Sequence, residues 1–334
     1  MPGGSPVPNR YIKSELKSHR LLWEEERPIR WPYMKILREY STLKEFYPEI
    51  NPYVEAYRMR ENVWALFQES MDGAGDLWMY VINGPERVLL IDTGFGVGDL
   101  KGLVQHLVGS DKEILVANTH HHYDHAYGNA QFARCYCHQD EEFSMRRTMN
   151  PHIWDYLFDE NGKNIYTEFD RNDIIPYQEY ELIPIPTGYR FDLGKGYEVE
   201  AIPLRGHSAG QCAYLDHHNH IIFTGDIGGA GRRYEGDPCA DNCTVETLWR
   251  DMQVVVSRLD EIEAGVPGLD VTSSLLRYEL DTLDRIMKDP ENADSIRTIV
   301  RNGQEQVQYA MNIHQGTAVK YNLTNVFRKT PYRR

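Results

Sequence analysis

The chain has 334 residues, enough for one large domain or two modest ones, and 41% of them are hydrophobic, which excludes a disordered composition. Its formal net charge of −14 argues against nucleic acid or an anionic membrane surface as partner. The N-terminal stretch MPGGSPVPNRYIKSELK lacks an apolar signal region, no run of about 18 apolar residues is present, and the cysteines number five. A reducing, cytoplasmic compartment is the expectation.

Residues 1–53 read as an N-terminal extension. A Pro/Gly-rich arm gives way to the charged, aromatic stretch ELKSHRLLWEEERPIRWPYMKILREY, expected to form one or two short helices interrupted at Pro28 and Pro32. It is expected to pack on the main domain or on a neighbouring subunit, which makes a homo-oligomer through this extension one expectation. From about residue 54 the pattern is strand-like, with NVWALFQES and DLWMYVING separated by a Gly-containing turn and RVLLIDTG after the turn NGPE. Leu100, Leu103, Val104 and Leu107 then share a helical face, and EILVANT is the next strand. Strand, helix, strand, then polar residues at the carboxyl end is where α/β folds place their chemistry. Residues 139–185 read as an insertion of helix and loop, rich in aromatic and charged side chains. Strands return with YEVEAIPL, QCAYL and HIIFTGD, followed by a helix carrying Val245, Leu248, Trp249, Met252, Val256 and Leu259 at core spacing, and another over 273–287. A catalytic domain over 54–290 and a mixed tail over 291–334 packed upon it complete the expected organisation.

At the end of EILVANT stands THHHYDH, residues 119–125. In extended chain, residues i and i+2 point to one side, so His120 and His122 converge while His121 points away. Imidazoles and carboxylates are the usual ligands of zinc and similar divalent ions, and Asp124 and His125 follow at once for a second ion. Two-metal hydrolytic sites space their ions about 3.5–4 Å apart. One segment rarely completes such a site. His207, in the Gly-flanked turn of LRGHSAG, and Asp226, at the end of IIFTGD, are the partners expected from elsewhere, and Asp92 in LLIDTG ends a third strand.

The combination of H-x-H-x-D-H at 120–125, Gly-His at 206–207, TGD at 224–226 and LLIDTG at 89–94 resembles the metallo-β-lactamase superfamily. The resemblance implies a four-layer αββα sandwich with its metals at one edge. It implies that His120, His122 and His207 bind a first metal, that Asp124 and His125 bind a second, and that Asp226 bridges the two. Asp92 would shape the loops by hydrogen bonding. The implied cofactor is one or two divalent ions, Zn2+ foremost, with Fe or Mn an option at the second site.

Many members of that family give the second metal a final histidine some 40 to 45 residues beyond the bridging aspartate. Here the matching turn, VPGLD, puts Leu269 in that place, which leaves Asp270 or His314 as substitutes and implies two unequal sites. The histidines of DHHNH (His217, His218, His220) are expected in an exposed hairpin turn, and His138 either in packing or behind the site. The pairs Cys135/Cys137 and Cys239/Cys243 are expected as free thiols, because no further pair completes four ligands.

No G-x-S-x-G nucleophile motif is present. The expected chemistry is therefore a metal-dependent hydrolase that uses a metal-bound hydroxide to cleave a small acyl substrate (carboxylic ester, lactone or thioester), with Asp124 orienting the nucleophile and moving a proton. Trp154, Tyr156 and Phe158 are expected to roof the site as an apolar lid, unless they simply pack the core. The alternatives are a metal-dependent lyase, decarboxylase or redox enzyme on the same scaffold, or a non-catalytic metal-binding relic.

Overall fold

The computed structural model describes residues 14–21, 37–73, 75–109, 111–266, 273–301, 304–313 and 317–330. Alternating side chains build two sheets that share one interior. The first runs Lys44–Glu45 (β1), Val54–Arg60 (β2), Val63–Gln68 (β3), Leu77–Asn83 (β4), Arg87–Ile91 (β5), Glu113–Ala117 (β6), Arg134–His138 (β7) and Glu181–Ile185 (β8). These eight strands lie side by side in chain order, antiparallel from β1 to β5 and parallel from β5 to β8. The second sheet comprises Arg190–Asp192 (β9), Glu198–Pro203 (β10), Cys212–Asp216 (β11), Ile221–Phe223 (β12) and Ala264–Val266 (β13), also in chain order, with only β12 and β13 parallel.

The period of two decides the layers. From the first sheet Val63, Ala65, Tyr80, Ile82, Leu89 and Ile91 meet Val199, Ala201, Tyr214, Ile221 and Phe223 of the second, forming the space between the sheets. Their neighbours Trp64, Leu66, Met79, Val81, Val88 and Leu90 point the other way, onto Leu100, Leu103 and Val104 of the helix Leu100–Val108 (α1). On the far side, Ile202, Ala213, Leu215 and Ile222 pack on the helices Val245–Ser257 (α4) and Ser273–Lys288 (α5), through Leu248, Met252, Leu276 and Leu283. Helix, sheet, sheet, helix is the four-layer αββα sandwich. Two shorter helices, Tyr123–Ala126 (α2) and Glu142–Thr148 (α3), lie between these layers in the chain.

Residues 139–185 contain α3 and several single helical turns, and end in β8, which joins β7 in parallel as the edge of the first sheet. The tail folds into a third sheet of Ser295–Arg301 (β14), Gln304–Asn312 (β15) and Ala318–Tyr321 (β16), whose Met311, Val319 and Tyr321 enter the α4–α5 core. The N-terminal stretch is anchored by Arg38, whose Nε donates to Glu55 Oε2 (2.9 Å) and whose Nη1 donates to Glu69 Oε1 (3.0 Å), all buried. Pro28 and Pro32 fall outside the described residues. Among the described residues no helix is long and apolar enough to cross a membrane.

Candidate metal centre

The histidines and aspartates meet where strands stop. Beyond β6 the chain leaves the sheet through His120–His122 and turns into α2, which carries Asp124 and His125. His207 follows β10 and Asp226 follows β12. The turns before them need glycine. A Cβ on Gly206 (φ 130°) would stand 2.5 Å from that of Leu248, and one on Gly225 (φ 62°) would stand 2.8 Å from that of Thr119.

His122 Nδ1 lies 3.0 Å from His120 Nε2 and 3.0 Å from His207 Nε2. Nitrogens bound at 2.0–2.1 Å to one tetrahedral ion stand roughly 3.3 Å apart, so these three rings converge at nearly the spacing a shared cation requires. Burial, reinforced by neighbouring imidazoles, holds His120 and His122 well below the ordinary histidine pKa, and burial likewise lowers His207. Neutral imidazole is the ligating form. Asp226 turns one oxygen to each side, Oδ2 at 3.4 Å from His207 Nε2 and Oδ1 at 3.6 Å from His125 Nε2. Asp124 Oδ2 stands 3.6 Å from the same His125 nitrogen. Two donor sets result, His120/His122/His207/Asp226 and Asp124/His125/Asp226, each with its ligand atoms within 4.8 Å of one another. The chemistry of these sets fits divalent ions: imidazole nitrogens and carboxylate oxygens from three segments of the chain converge there.

The charges are unequal. Burial pushes the Asp124 carboxyl up to about 7 against the pull of His125, with Asp226 and Asp72 adding to the rise. Burial would raise Asp226 also, but the hydrogen bond and charge of His125 outweigh it and hold that carboxyl below its usual range. Burial would lower His125, yet Asp124, Asp92 and Asp226 together keep it well above the usual histidine value.

Asp92 sets the tautomers. Held at φ 62°, it accepts from Thr119 N (2.7 Å), Thr119 Oγ1 (2.8 Å) and His125 Nδ1 (2.7 Å). With its proton given to Asp92, the Thr119 hydroxyl accepts from His120 Nδ1 (3.0 Å), which leaves His120 Nε2 free as a lone pair.

Two positioning residues carry no signal in the sequence. Glu141, fully buried, accepts from His121 N (3.0 Å), His121 Nδ1 (2.5 Å), Ser208 Oγ (2.9 Å) and Gly210 N (2.6 Å). It thereby ties the loop of His120 and His122 to the loop of His207, across 67 and 69 residues of chain. Burial would raise its pKa, but these donors, His121 first, keep it low and the carboxylate charged. Gln211 Nε2 donates to the carbonyls of Leu204, Thr224 and Asp226, at 3.3, 3.3 and 2.6 Å, which joins two strand ends beneath the site.

The expected lid is corrected. Trp154 is 6% exposed, its Nε1 donates to Phe95 O at 2.6 Å, and Phe158 packs against Phe169 in the core. Only Tyr156 reaches the rim, 5.6 Å from the ring of Tyr123. His217, His218 and His220 occupy the turn between β11 and β12, capped by Asp216 Oδ1, which accepts from the backbone of His218 and Asn219. His138 is buried, with Nε2 3.1 Å from Thr187 Oγ1, apart from both donor sets. All five cysteines are free thiols. Leu269, Asp270 and His314, which bear on how the second set is completed, lie outside the described residues.

Acyl-coenzyme A thioesterase MBLAC2 from Bos taurus and its counterpart from Homo sapiens are each 27% identical over 172 residues, 48% of this chain and 60% of theirs. The match thus spans less than two thirds of those relatives. Among solved structures, DIM-1 metallo-beta-lactamase exposed to ceftazidime has a TM-score of 0.47 at 18% identity, over 70% of this chain and 98% of its own. A metallo-beta-lactamase from Pontibacter korlensis has a TM-score of 0.49 at 16% identity, over 69% and 99%. The family model for the metallo-beta-lactamase superfamily matches residues 72–291, well over half the chain, and the chain belongs to that superfamily.

Proposed function

We propose that the protein is a metal-dependent hydrolase of a small acyl substrate, a thioester before an ester or lactone. The observation that carries this reading is the pair of donor sets sharing Asp226, with Asp124 at their edge. In it, His120, His122 and His207 would hold one ion and Asp124 and His125 the other, with Asp226 available to both. Zn2+ suits the imidazole set, while the oxygen-richer set also accepts Fe or Mn. Bound divalent ions would bring a water within reach of deprotonation near neutral pH and polarise the acyl oxygen. Asp124, at the edge of the second donor set, is placed to orient that water and pass its proton to the leaving group. Thr119 and Asp92 keep the ligand tautomers, and Glu141 keeps the ligand loops in register.

The thioester preference is supported by the thioesterase name of the partly matching relatives. A small-molecule substrate, a cytoplasmic setting and self-association through the N-terminal extension belong to the same reading. The test is a panel of matched thioesters, lactones and carboxylic esters, assayed with metal-loaded protein before and after chelation. Thioester turnover that chelation abolishes and metal restores is the expected result. Turnover of none of the three, by protein with both sites filled, would sink the reading.

A further inference from the structure

Beside His122 the site carries a feature that metal binding does not use. His121 is buried, gives its Nδ1 to Glu141, and leaves its buried Nε2 without a hydrogen-bond partner among the described residues. Its ring stands 4.6 Å from that of His122 on one side and 5.5 Å, edge-on, from that of Tyr234 on the other. Two guanidiniums lie over the same Tyr234 ring, that of Arg147 at 4.4 Å from the centroid and that of Arg232 at 5.3 Å. Both arginines are exposed, and neither has a carboxylate within ion-pair distance among the described residues. Their sequence neighbours differ: Arg146 pairs with Glu142 and Arg233 with Asp241. Arg147 lies in the last turn of α3, where a cation suits the helix dipole, but that does not account for Arg232, which arrives from a loop 85 residues on. In a chain of net charge −14, two arginines without an ion-pair partner among the described residues share one aromatic ring beside the donor sets.

We propose that Arg147, Tyr234 and Arg232 form an anion platform that holds a phosphate-bearing part of the substrate. This deepens the acyl-hydrolase reading and rests on it for its role in turnover. A guanidinium stacked on an aromatic face keeps its N–H edge free and offers the two-pronged geometry that phosphate oxygens accept. Two such forks suit a dianion better than a single carboxylate. The buried His121 Nε2 adds a polar atom between platform and metal centre. The acyl carbonyl then sits over the two donor sets while the alcohol or thiol portion runs across His121 and Tyr234 to its phosphate.

The platform is tested without turnover by titrating adenosine 3′,5′-bisphosphate into the metal-loaded protein and reading Kd by calorimetry. Arg147→Gln with Arg232→Gln is expected to weaken binding by about tenfold or more, and added salt to weaken the unaltered protein's binding. Arg147→Lys with Arg232→Lys should restore part of it, and Arg146→Gln should leave it within about twofold. Metal content and Tm, measured on each variant, show that the fold survives. In turnover, the kcat/KM preference for a phosphate-bearing thioester over its phosphate-free analogue should fall by about tenfold in the double Gln variant. A Kd unchanged by that variant overturns the platform. A variant that penalises only a thioester with a carboxylate-ended acyl chain also overturns it, by assigning the arginines to a carboxylate. Weakened bisphosphate binding with no thioester hydrolysed at all would keep the platform and remove the acyl-hydrolase reading.

Discussion

Three imidazoles, with His120 Nε2 and His207 Nε2 each 3.0 Å from His122 Nδ1, carry a specific consequence. His120→Ala or His207→Ala should abolish turnover and remove at least one metal equivalent, with circular dichroism unchanged. Full activity with unaltered metal content in either variant would contradict the ligand assignment. Glu141 is a subtler case, because it touches no donor set and acts through His121, Ser208 and Gly210. Glu141→Gln keeps its size and removes its charge. Metal affinity should fall by roughly 10- to 100-fold, the usual cost of losing a partner behind the ligands. A chelator competition that finds equal affinities in variant and parent would reduce Glu141 to packing. The convergence of His120 with His122 was legible from the spacing of THHHYDH because it is local, whereas His207 and Asp226 were expected through the family resemblance. Glu141 was not, since its partners come from a loop whose approach no short window of sequence encodes.

The elements divide in the same way. The short apolar runs of β3, β4 and β5, bounded by turn residues, and the 3.6-residue period in α1 and α4 are local signals, so those elements could be read directly. The aromatic stretch around Trp154 could not be resolved into lid or core by composition, since an aromatic ring suits either. The structure buries Trp154 against Gly96 and bonds its indole to Phe95 O. Trp154→Ala should therefore cost about 3–5 kcal/mol of stability with normal KM for the folded fraction, whereas Tyr156→Ala should alter KM with little loss of stability. Denaturant unfolding beside steady-state kinetics distinguishes these outcomes. In α5, Glu279 is 1% exposed, and neither of its carboxylate oxygens has a partner among the described residues. Burial raises its pKa well above the unfolded value. The folded state therefore binds the extra proton, so stability is whole below about pH 4.5 and declines as pH rises toward the folded pKa, by at most about 1.4 kcal/mol per unit. Glu279→Leu should remove that slope and raise Tm at neutral pH. An unchanged pH profile of unfolding would show that the carboxyl is not protonated in the fold.

Across the whole molecule, the two donor sets should not be equivalent. One offers three imidazoles and a shared carboxylate, the other one imidazole and two carboxylates. Metal titration should show two steps, the tighter lost in His120→Ala and the weaker lost in Asp124→Ala, and metal removal should lower Tm in proportion to the occupancy lost. Two equally tight ions would show that the second set is completed by residues beyond those described. The order of the strands was open to sequence reasoning in outline, because both sheets follow chain order. The third sheet, β14 to β16, was not: its strands mix Arg, Thr, Gln and Glu with apolar residues, and Tyr309, Met311, Val319 and Tyr321 tie it to the α4–α5 core. The N-terminal anchor was equally hidden, since nothing about Arg38 in isolation foretells a buried pairing with Glu55 and Glu69.

By itself the sequence determined the types of the donor residues, their local spacing and the periodic faces that become layers, because these depend on backbone geometry within a few residues. The tertiary structure alone decided which carboxylate ties the histidine loops together, which aromatic rings enter the core and which arginines gather on Tyr234. Those outcomes depend on contacts between segments tens of residues apart, whose energies are settled only when burial, packing and charge are satisfied together.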